Sequence, residues 1–311
     1  MATSSGAIRG GFGHAVSRIE DTIGVRLLTR SARRHKALRM PDKVELPVFV
    51  VDAFADRPFG GNPAAVVPVP QWPEGGLMQS IAAEMGLSET AFVRLRVPGA
   101  WDLRWFTPLH EVDFCGHATL ATAHVLSREC GTMGPMDFHT RMGVLRVTRD
   151  GGALRLDIPA LPPRPVAALP DGLAGLFAAP PGMIFRNFEN LFCLLDDAWA
   201  VRRFVPDPGR LAALGATGLC ITAPGADEVD FVSRYFAPGG GIPEDPVTGS
   251  THATLVPFWA ARLGRSTLRA RQLSARGGAL DCQILGDRVL LTGRAVTVLR
   301  GHLILPMPTA D

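Results

Sequence analysis

Hydrophobic positions along this chain fall in short runs that glycine and proline interrupt, a pattern typical of many short strands. Residues 45–54 form a β-branched and aromatic run that predicts a buried strand, and residues 64–69 predict a second strand after a Gly- and Pro-rich turn. Residues 141–159 alternate in hydrophobicity around an Asp-Gly-Gly turn, which predicts a hairpin. Further strands are predicted at residues 191–195 and 218–222 and between residues 269 and 305.

Helical spacing is confined to a few stretches. Residues 75–85 carry it, and Gly86 is suited to cap their C-terminal end. The apolar stretch that begins at Gly116 has no broad polar face, so we expect a buried helix wrapped by strands. A similar stretch begins near Ser250, and Pro257 inside it should kink the helix or shift its start. Residues 208–214 predict one more short helix.

Two stretches of the sequence repeat each other. RWFTP at residues 104–108 precedes GHATL at residues 116–120, and RYFAP at residues 234–238 precedes GSTHATL at residues 249–255. Each copy predicts a strand, a turn and then a helix of small residues. Similarity at such a separation indicates a duplicated unit. We therefore predict an α+β fold of two similar lobes whose equivalent helices approach each other across a cleft.

The second copy of the repeat places an acidic residue before a helix start. Glycine and proline in residues 238–243 enforce tight turns, so Asp245 should be held close to the helix that Gly249 and Ser250 open. The first N–H groups of a helix have no partner within the helix and carry partial positive charge. The pattern thus predicts a carboxylate and an anion-binding helix end that face one cleft.

Composition excludes several classes of protein. The chain has 311 residues, of which 47% are hydrophobic and 20% are charged, which is enough for two lobes with their own cores. The formal charge of +3 comes from the basic residues 1–43, so no nucleic-acid role follows for the rest. Five scattered cysteines without a CxxC pair predict neither a disulfide framework nor a metal site. No apolar run is long enough to span a membrane, and a reducing cytoplasm is the expected location.

The N-terminal segment differs from the rest of the chain. Residues 15–30 resemble the recognition helix and following turn of a LysR-type winged helix-turn-helix, but the first helices of that domain are absent. A helix needs partners that bury its apolar face. We therefore interpret residues 1–43 as an appended extension with a loosely ordered helix, and DNA binding is not expected of it.

Four motifs together resemble one known family. They are VDAFADRPFGGNPAAVV, LSETAFV, RWFTPLHEVDFCGHATLATAHVL and RYFAPGGGIPEDPVTGSTHATLVPFWAARLG, in that order from about residue 45. The resemblance is to the PhzF-like family of phenazine biosynthesis, which has the fold of diaminopimelate epimerase. It implies two lobes, each a curved mixed sheet or barrel around a central helix. It also implies a homodimeric, cofactor-independent isomerase without a metal, which transfers protons on a small carboxylate.

The resemblance also implies a division of the chain and a set of site residues. The predicted lobes are residues 44–163, completed by strand residues from 297–311, and residues 164–296. The implied catalytic residues are Glu89 as acid/base, with His117 and Asp245. The implied substrate-binding residues are Gly116, Gly249 and Ser250, whose amides and hydroxyl would hold a carboxylate, and Asn62, which either contacts the ligand or caps its turn.

One position departs from the epimerases of this fold. Those enzymes use two cysteines, one on each face of the substrate; Cys115 stands at the first of those positions, whereas Thr248 takes the place of the second. Racemisation by two thiols is therefore not expected, and Cys115 is not assigned a catalytic role.

Several polar residues have alternative interpretations. Glu89 could be a solvated turn carboxylate, and His252 could either contact Asp245 or only begin a helix. His124 is expected to be a packed histidine, and Glu244 is expected to point away from the site. Arg104 and Arg234, at matching positions of the repeat, are expected to support the fold.

Two other functions fit the same cleft. One is a binding protein for small acids without turnover, and the other is a regulator that binds an effector and uses the LysR-like segment for DNA. The presence of Glu89, His117 and Asp245 together favours catalysis, and the incomplete DNA-binding segment disfavours the regulator. The sequence does not identify the substrate.

Overall fold

The computed structural model describes residues 26–27, 43–170 and 173–306. The strands in these residues are β1 Arg26–Leu27, β2 Lys43–Ala53, β3 Asn62–Pro68, β4 Glu89–Val97, β5 Ala100–Phe106, β6 Glu111–Val112, β7 Met136–Thr140, β8 Gly143–Asp150, β9 Ala153–Pro159, β10 Arg164–Pro165, β11 Met183–Arg186, β12 Asn190–Leu194, β13 Gly218–Pro224, β14 Phe231–Ala237, β15 Ile242–Asp245, β16 Thr267–Gln272, β17 Gly278–Leu285, β18 Arg288–Gly293 and β19 Ala295–Pro306. The helices are α1 Gly75–Met85, α2 Gly116–Arg128, α3 Ala198–Arg203, α4 Pro208–Ala212 and α5 Gly249–Leu263, with short 3₁₀ turns at Ala174–Leu176 and Pro238–Gly240.

The strands form two lobes with the same connectivity. In the first lobe β2–β3 is antiparallel, β3–β4 parallel, β4–β5 antiparallel and β5–β7 parallel, and β7, β8 and β9 continue antiparallel. The second lobe repeats this series: β11–β12 is antiparallel, β12–β13 parallel, β13–β14 antiparallel and β14–β16 parallel, and β16, β17 and β18 continue antiparallel. The architecture confirms the predicted α+β fold of two similar lobes.

The lobes are joined through their last strands and by the end of the chain. Strand β9 pairs antiparallel with β18, so the two sheets are continuous there. Strand β19 returns to the first lobe and pairs with β2 along its whole length. The boundary between residues 163 and 164 stays a prediction.

Helices α2 and α5 occupy the centres of the lobes. All but a few of their residues are buried, as their lack of a polar face predicted. One hydrophobic core contains apolar residues of both helices together with strand residues of both lobes. In the second lobe Phe231 of β14 stacks on Trp259 of α5, with ring centroids 5.7 Å apart. The small residues at the start of each helix let the strands approach closely.

Pro257 does not shift the start of helix α5. The helix runs without interruption from Gly249 to Leu263 and contains the proline in its interior. A proline has no N–H, so the carbonyl four residues earlier, that of Ala253, loses its partner in the helix. The backbone N–H of Leu161, in the segment that connects the lobes, donates to that carbonyl at 2.8 Å.

The N-terminal prediction is only partly covered by the structure. Arg26 and Leu27 are extended and pair with Glu45 and Val44 of β2. The remainder of the LysR-like segment lies outside the described residues.

The short helix α3 was not predicted, although its N-cap residue Asp197 accepts the Ala200 N–H at 2.7 Å and is a usual start signal. Within the described residues no helix is both long enough and apolar enough to cross a membrane.

The internal repeat extends to its charged residues. Arg104 of β5 donates twice to Glu111 of β6 at 2.7 Å, and Arg234 of β14 donates to Glu244 of β15 at 2.7 and 3.0 Å. Each guanidinium also lies over the Phe two residues later, 5.2 Å and 4.9 Å from the ring centroid. Both arginines therefore fix the turn before a central helix, and Glu244 is occupied away from Asp245.

A buried ion pair connects the lobes beside the turn before β3. Arg276, in the loop between β16 and β17, donates to Asp52 of β2 at 2.7 Å and to the carbonyls of Gly60 and Gly61 at 3.0 and 2.9 Å. The Asp52 side chain is 2% exposed. We refer to Arg276, Asp52, Gly60 and Gly61 as the interlobe clamp.

Replacement of Arg276 by alanine is expected to lower the free energy of unfolding by about 2 kcal/mol. The change leaves the buried Asp52 carboxylate without its cation, and such unpaired charges cost about 3–5 kcal/mol when the pair is fully buried. The Arg276 side chain is 31% exposed, so water compensates for part of that cost. Urea denaturation measures the change. An equal loss from Arg271→Ala, a neighbouring arginine without a described ion pair, would show that the clamp has no special role.

Candidate active site

The side chains of Glu89 and His117 meet at the start of helix α2. Glu89 is the first residue of β4 and His117 the second residue of α2. Glu89 Oε2 lies 3.1 Å from His117 Nε2, and the residues are 8% and 3% exposed. Neither of these two atoms has a hydrogen-bond partner in the described part of the chain. A buried acid and imidazole in mutual contact, with no further partner, are suited to transfer a proton to a bound molecule.

Cys115 determines which imidazole nitrogen faces Glu89. Its Sγ lies 3.5 Å from Nδ1 of His117, on the ring edge opposite to Glu89. Burial, together with the Glu89 charge, raises the pKa of the Cys115 thiol to about 11, so the thiol keeps its proton at neutral pH. In the neutral ring Nδ1 accepts from that thiol, and Nε2 then carries the hydrogen at the ring edge that lies 3.1 Å from Glu89.

Burial and a neighbouring negative charge shift the pKa of His117 in opposite directions. Burial alone would lower the pKa of the imidazole, but the Glu89 carboxylate beside it holds that pKa well above its ordinary value. A charged imidazole also has a hydrogen on Nε2. In both protonation states His117 can thus hold the Glu89 carboxylate in one orientation.

Asn62 connects His117 to the second lobe. Its Nδ2 lies 3.1 Å from His117 Nδ1 and donates to Asp245 Oδ1 at 2.8 Å and to the Val247 carbonyl at 2.9 Å. Ser88 donates to the Asn62 Oδ1 at 3.4 Å, and the residue is 0% exposed. These bonds occupy both amide hydrogens, so they indicate an orienting role; the predicted contact of Asn62 with a ligand stays a prediction.

Asp245 is buried at the end of β15 and both of its carboxylate oxygens are hydrogen-bonded. Oδ1 accepts from Asn62 and Oδ2 from the Thr248 hydroxyl at 2.5 Å. Burial raises the pKa of Asp245 to about 6, and the Glu89 charge adds to this, while His117 and the two hydrogen bonds act in the opposite direction. The structure therefore brings Glu89, His117 and Asp245 into one connected group across the lobes.

Stability should respond to the protonation of Asp245. Its pKa is raised above the unfolded value of 3.8, so the folded state binds the extra proton and stability falls as pH rises from about 4 to about 6. The expected loss is on the order of 3 kcal/mol in all, of which about 2 kcal/mol falls between pH 4.5 and 7. Urea midpoints at pH 4.5 and 7 measure it, and Asp245→Asn removes this contribution while other carboxylates still titrate. The same pH dependence in both proteins would contradict the prediction.

The starts of helices α2 and α5 touch each other. A Cβ built on Gly116 would lie 3.3 Å from the Gly249 Cα, and a Cβ on Gly249 would lie 3.3 Å from the Gly116 Cα. The N-cap residues Cys115 and Thr248 make no side-chain cap, and neither first turn contains an acidic residue. Ser250 is half-buried, and its hydroxyl has no partner among the residues that the structure describes. Two uncapped helix ends thus lie side by side next to Glu89 and His117.

Comparison with known proteins agrees with this arrangement. A family model described as PhzC-PhzF, phenazine biosynthesis-like protein, matches residues 51–301. The chain belongs to this family. An uncharacterized isomerase of Pseudomonas aeruginosa is 46% identical over 263 residues, which are 84% of this chain and 100% of that protein. These relatives support an isomerase, as the sequence predicted.

Solved structures confirm the fold of this PhzC-PhzF family member. A phenazine biosynthesis protein of the PhzF family from Enterococcus faecalis superposes with a TM-score of 0.78 at 41% identity, over 83% of this chain and 99% of that one. A hydroxyproline epimerase from Agrobacterium vitis has a TM-score of 0.57 at 13% identity and covers 86% of this chain and 95% of that one. At this low identity the epimerase shows only that the fold is shared.

Among the residues that the structure describes, one group of side chains has the composition of a metal site, namely Glu89, Cys115 and His117, whose ligand atoms lie within 4.8 Å of one another. The thiol is at the Nδ1 edge of the imidazole and the carboxylate is at the Nε2 edge. The two nitrogen lone pairs point in different directions and an ion uses only one of them, so it would lie either on the carboxylate side or on the thiol side of the ring. The geometry fits proton transfer better than metal binding.

Thr248 confirms that the two thiols of the epimerases are not reproduced here. It is the N-cap of α5, as Cys115 is of α2, but its hydroxyl donates to Asp245 and accepts from Gln272 Nε2 at 3.1 Å. A hydroxyl in these bonds serves to hold Asp245. The Cys115 thiol therefore has no counterpart on the other face.

Sequence reasoning did not find Gln272. Its side chain donates to the Asp245 carbonyl at 2.7 Å and accepts the Thr248 N–H at 2.9 Å, and it is 1% exposed. It therefore fixes the turn that carries Asp245. The signal was present, because Gln272 follows Leu268 and Ala270 on the buried side of an alternating strand.

His252 and His124 lie outside the site. His252 Nδ1 lies 2.8 Å from the Thr248 carbonyl, and burial lowers the pKa of His252 to about 4. His124 lies 3.0 Å from the Thr297 hydroxyl as a packed residue, and burial likewise lowers the pKa of His124 to about 4.

A cavity of about 450 Å³ lies on the outer face of β16, β17 and β18 and contains none of the site residues.

Proposed function

We propose that this protein is a cofactor-independent isomerase that transfers protons on a small carboxylate bound between the two lobes. The observation that carries the proposal is the contact between Glu89 and His117 beside two adjoining uncapped helix starts. An acid/base pair next to an anion site is the arrangement that proton transfer beside a carboxylate requires. The relatives named isomerases support the same class of reaction.

The substrate carboxylate binds at the helix starts. Amides of Gly116, Gly249 and the residues that follow them have no acceptor within their helices, and the Ser250 hydroxyl is free to donate. Each helix start also contributes partial positive charge, and two such charges add at one point. The carboxylate thereby comes to lie within reach of Glu89.

Glu89 is the group that moves the proton. Its carboxylate takes a proton from a carbon near the substrate carboxylate, the electron pair of that C–H bond spreads into the adjoining π system, and Glu89 returns the proton to a carbon. His117 packs against Glu89, with Nε2 3.1 Å from the carboxylate. Asp245 fixes Asn62, whose Nδ2 lies 3.1 Å from His117 Nδ1. Return to another carbon on the same face moves a double bond.

Deuterium uptake from solvent tests the proposal without knowledge of the net reaction. The protein is incubated in deuterium oxide with a panel of small amino, hydroxy and aromatic acids, and carbon-bound deuterium is measured by mass spectrometry. We expect label in at least one acid, and none after heat inactivation. A complete panel without label above that control would refute proton-transfer chemistry.

The homodimer and the cytoplasmic location also belong to the proposal. Both follow from the family resemblance, and light scattering on the purified protein tests the first. A mass of about 66 kDa would support a dimer, because one chain has a mass of 33.2 kDa.

A further inference from the structure

The duplication assigns a counterpart to Glu89 in the second lobe. In the first lobe Thr90 pairs with Phe106, and in the second lobe Leu219 pairs with Phe236. The two phenylalanines are equivalent in the repeat, so Glu89, one residue before Thr90, corresponds to the residue before Leu219. That residue is Gly218. The second lobe therefore has no acid at this position.

The space that a side chain at Gly218 would occupy is filled by two polar groups. A Cβ on Gly218 would overlap the Tyr235 hydroxyl and the Asn190 Oδ1. Tyr235 donates to Asn190 at 2.9 Å. This hydroxyl–amide pair thus stands in the second lobe where Glu89 stands in the first.

Tyr235 faces the start of helix α5. It is on the same side of β14 as Phe231, which packs on α5, and it pairs with Asp245, which directly precedes that helix start. Its equivalent in the first lobe is Trp105, which is 1% exposed and packs on Phe114 with centroids 6.4 Å apart. Tyr235 is only half-buried. The second lobe therefore leaves this ring partly uncovered.

We propose that the Tyr235 hydroxyl contacts the substrate on the face opposite to Glu89 and accepts a hydrogen bond from a hydroxyl or ammonium group. The inference rests on the proposed function, since both groups lie beside the helix starts that would bind the carboxylate. The hydrogen of Tyr235 is committed to Asn190, so its oxygen has lone pairs left for a donor. The substrate class is therefore a small hydroxy or amino acid.

The hydroxyl keeps its hydrogen under working conditions. Burial raises the pKa of Tyr235, and the Asp245 charge raises that pKa further. The donor to Asn190 is thus present throughout the physiological range, and the direction of the hydrogen bond does not change with pH.

Three acids of matched shape test the contact. Propanoate has no donor on the carbon next to its carboxylate, lactate has a hydroxyl there and alanine has an ammonium. Binding is measured by calorimetry and by ¹⁹F NMR of protein with 3-fluorotyrosine, which gives one resonance because Tyr235 is the only tyrosine. Lactate and alanine should shift that resonance. Tyr235→Phe should weaken their binding about tenfold and leave propanoate unchanged.

Each outcome separates this inference from the proposed function. Equal binding of lactate and alanine to the original protein and to Tyr235→Phe would overturn the contact and leave the carboxylate site intact. No binding of any acid, together with no deuterium uptake in the panel, would overturn both. Gly218→Ala displaces the Tyr235 hydroxyl without removing it. Weaker binding of lactate and alanine to this variant, with unchanged binding of propanoate, supports the contact. Thermal unfolding of both variants confirms that they are folded.

Discussion

Replacement of Glu89 by glutamine is expected to lower the rate of deuterium uptake by about 10² to 10⁴. Glutamine has the shape of glutamate but cannot take up a proton at neutral pH. Its amide group can occupy the same space beside His117, whose Nε2 lies 3.1 Å from the Glu89 carboxylate in this structure. The fold and the affinity for the acid should therefore change little, and the loss should appear in turnover.

The matched control is Glu84→Gln. Glu84 is an exposed residue of α1 with no described ion pair, so its replacement removes the same charge far from the site. Single-turnover labelling of the acid identified in the panel measures both variants, and calorimetry measures its affinity. Turnover of Glu89→Gln within a factor of three of the control would show that another group transfers the proton.

The second large effect is expected from Gly249→Val. The methyl groups of valine would enter the contact between Gly249 and Gly116, where even a Cβ would lie at 3.3 Å. The helix starts must then separate, and their N–H groups no longer point at one carboxylate. A misplacement of about 1 Å can cost about 10² in rate. Overpacking should also lower the free energy of unfolding by about 1–3 kcal/mol.

Gly75→Val provides the control for this steric argument. Gly75 is the first residue of α1, as Gly249 is of α5, and a Cβ there has nothing within 4 Å. Both variants carry the same change in side chain and helix propensity. Labelling rates and urea midpoints are compared. Normal turnover in a folded Gly249→Val protein would mean that close approach of the helices is not needed for the reaction.

The fold was largely predictable because its signals are local. Hydrophobic runs of strand length and the hairpin of residues 143–159 follow from alternation and turn residues. The repeat of RWFTP and RYFAP predicted two equivalent lobes, and their strand pairings confirm it. Helix α3, of six residues, was missed, whereas the helix at Pro208–Ala212 is shorter still but begins with a proline, a start signal that α3 lacks.

The candidate site was predictable only where a motif named its members. Glu89, His117 and Asp245 came from such motifs, and they lie together in the structure. Gln272 ends β16 and Arg276 lies in the following loop, more than 20 residues after the helix start at Gly249, and nothing local in the sequence connects them to it. Their bonds to backbone carbonyls depend on how β16 and β17 return past the site, which is a property of the assembled sheet.

Pro257 has a consequence for how the halves of the molecule can move. The carbonyl that it frees is taken by Leu161, in the covalent connection between the lobes. The connecting segment is thereby hydrogen-bonded to helix α5, the central helix of the second lobe. Any hinge motion that admits a ligand must pivot around that anchor or break it, and the amide of Leu161 should exchange with solvent as slowly as the helix interior.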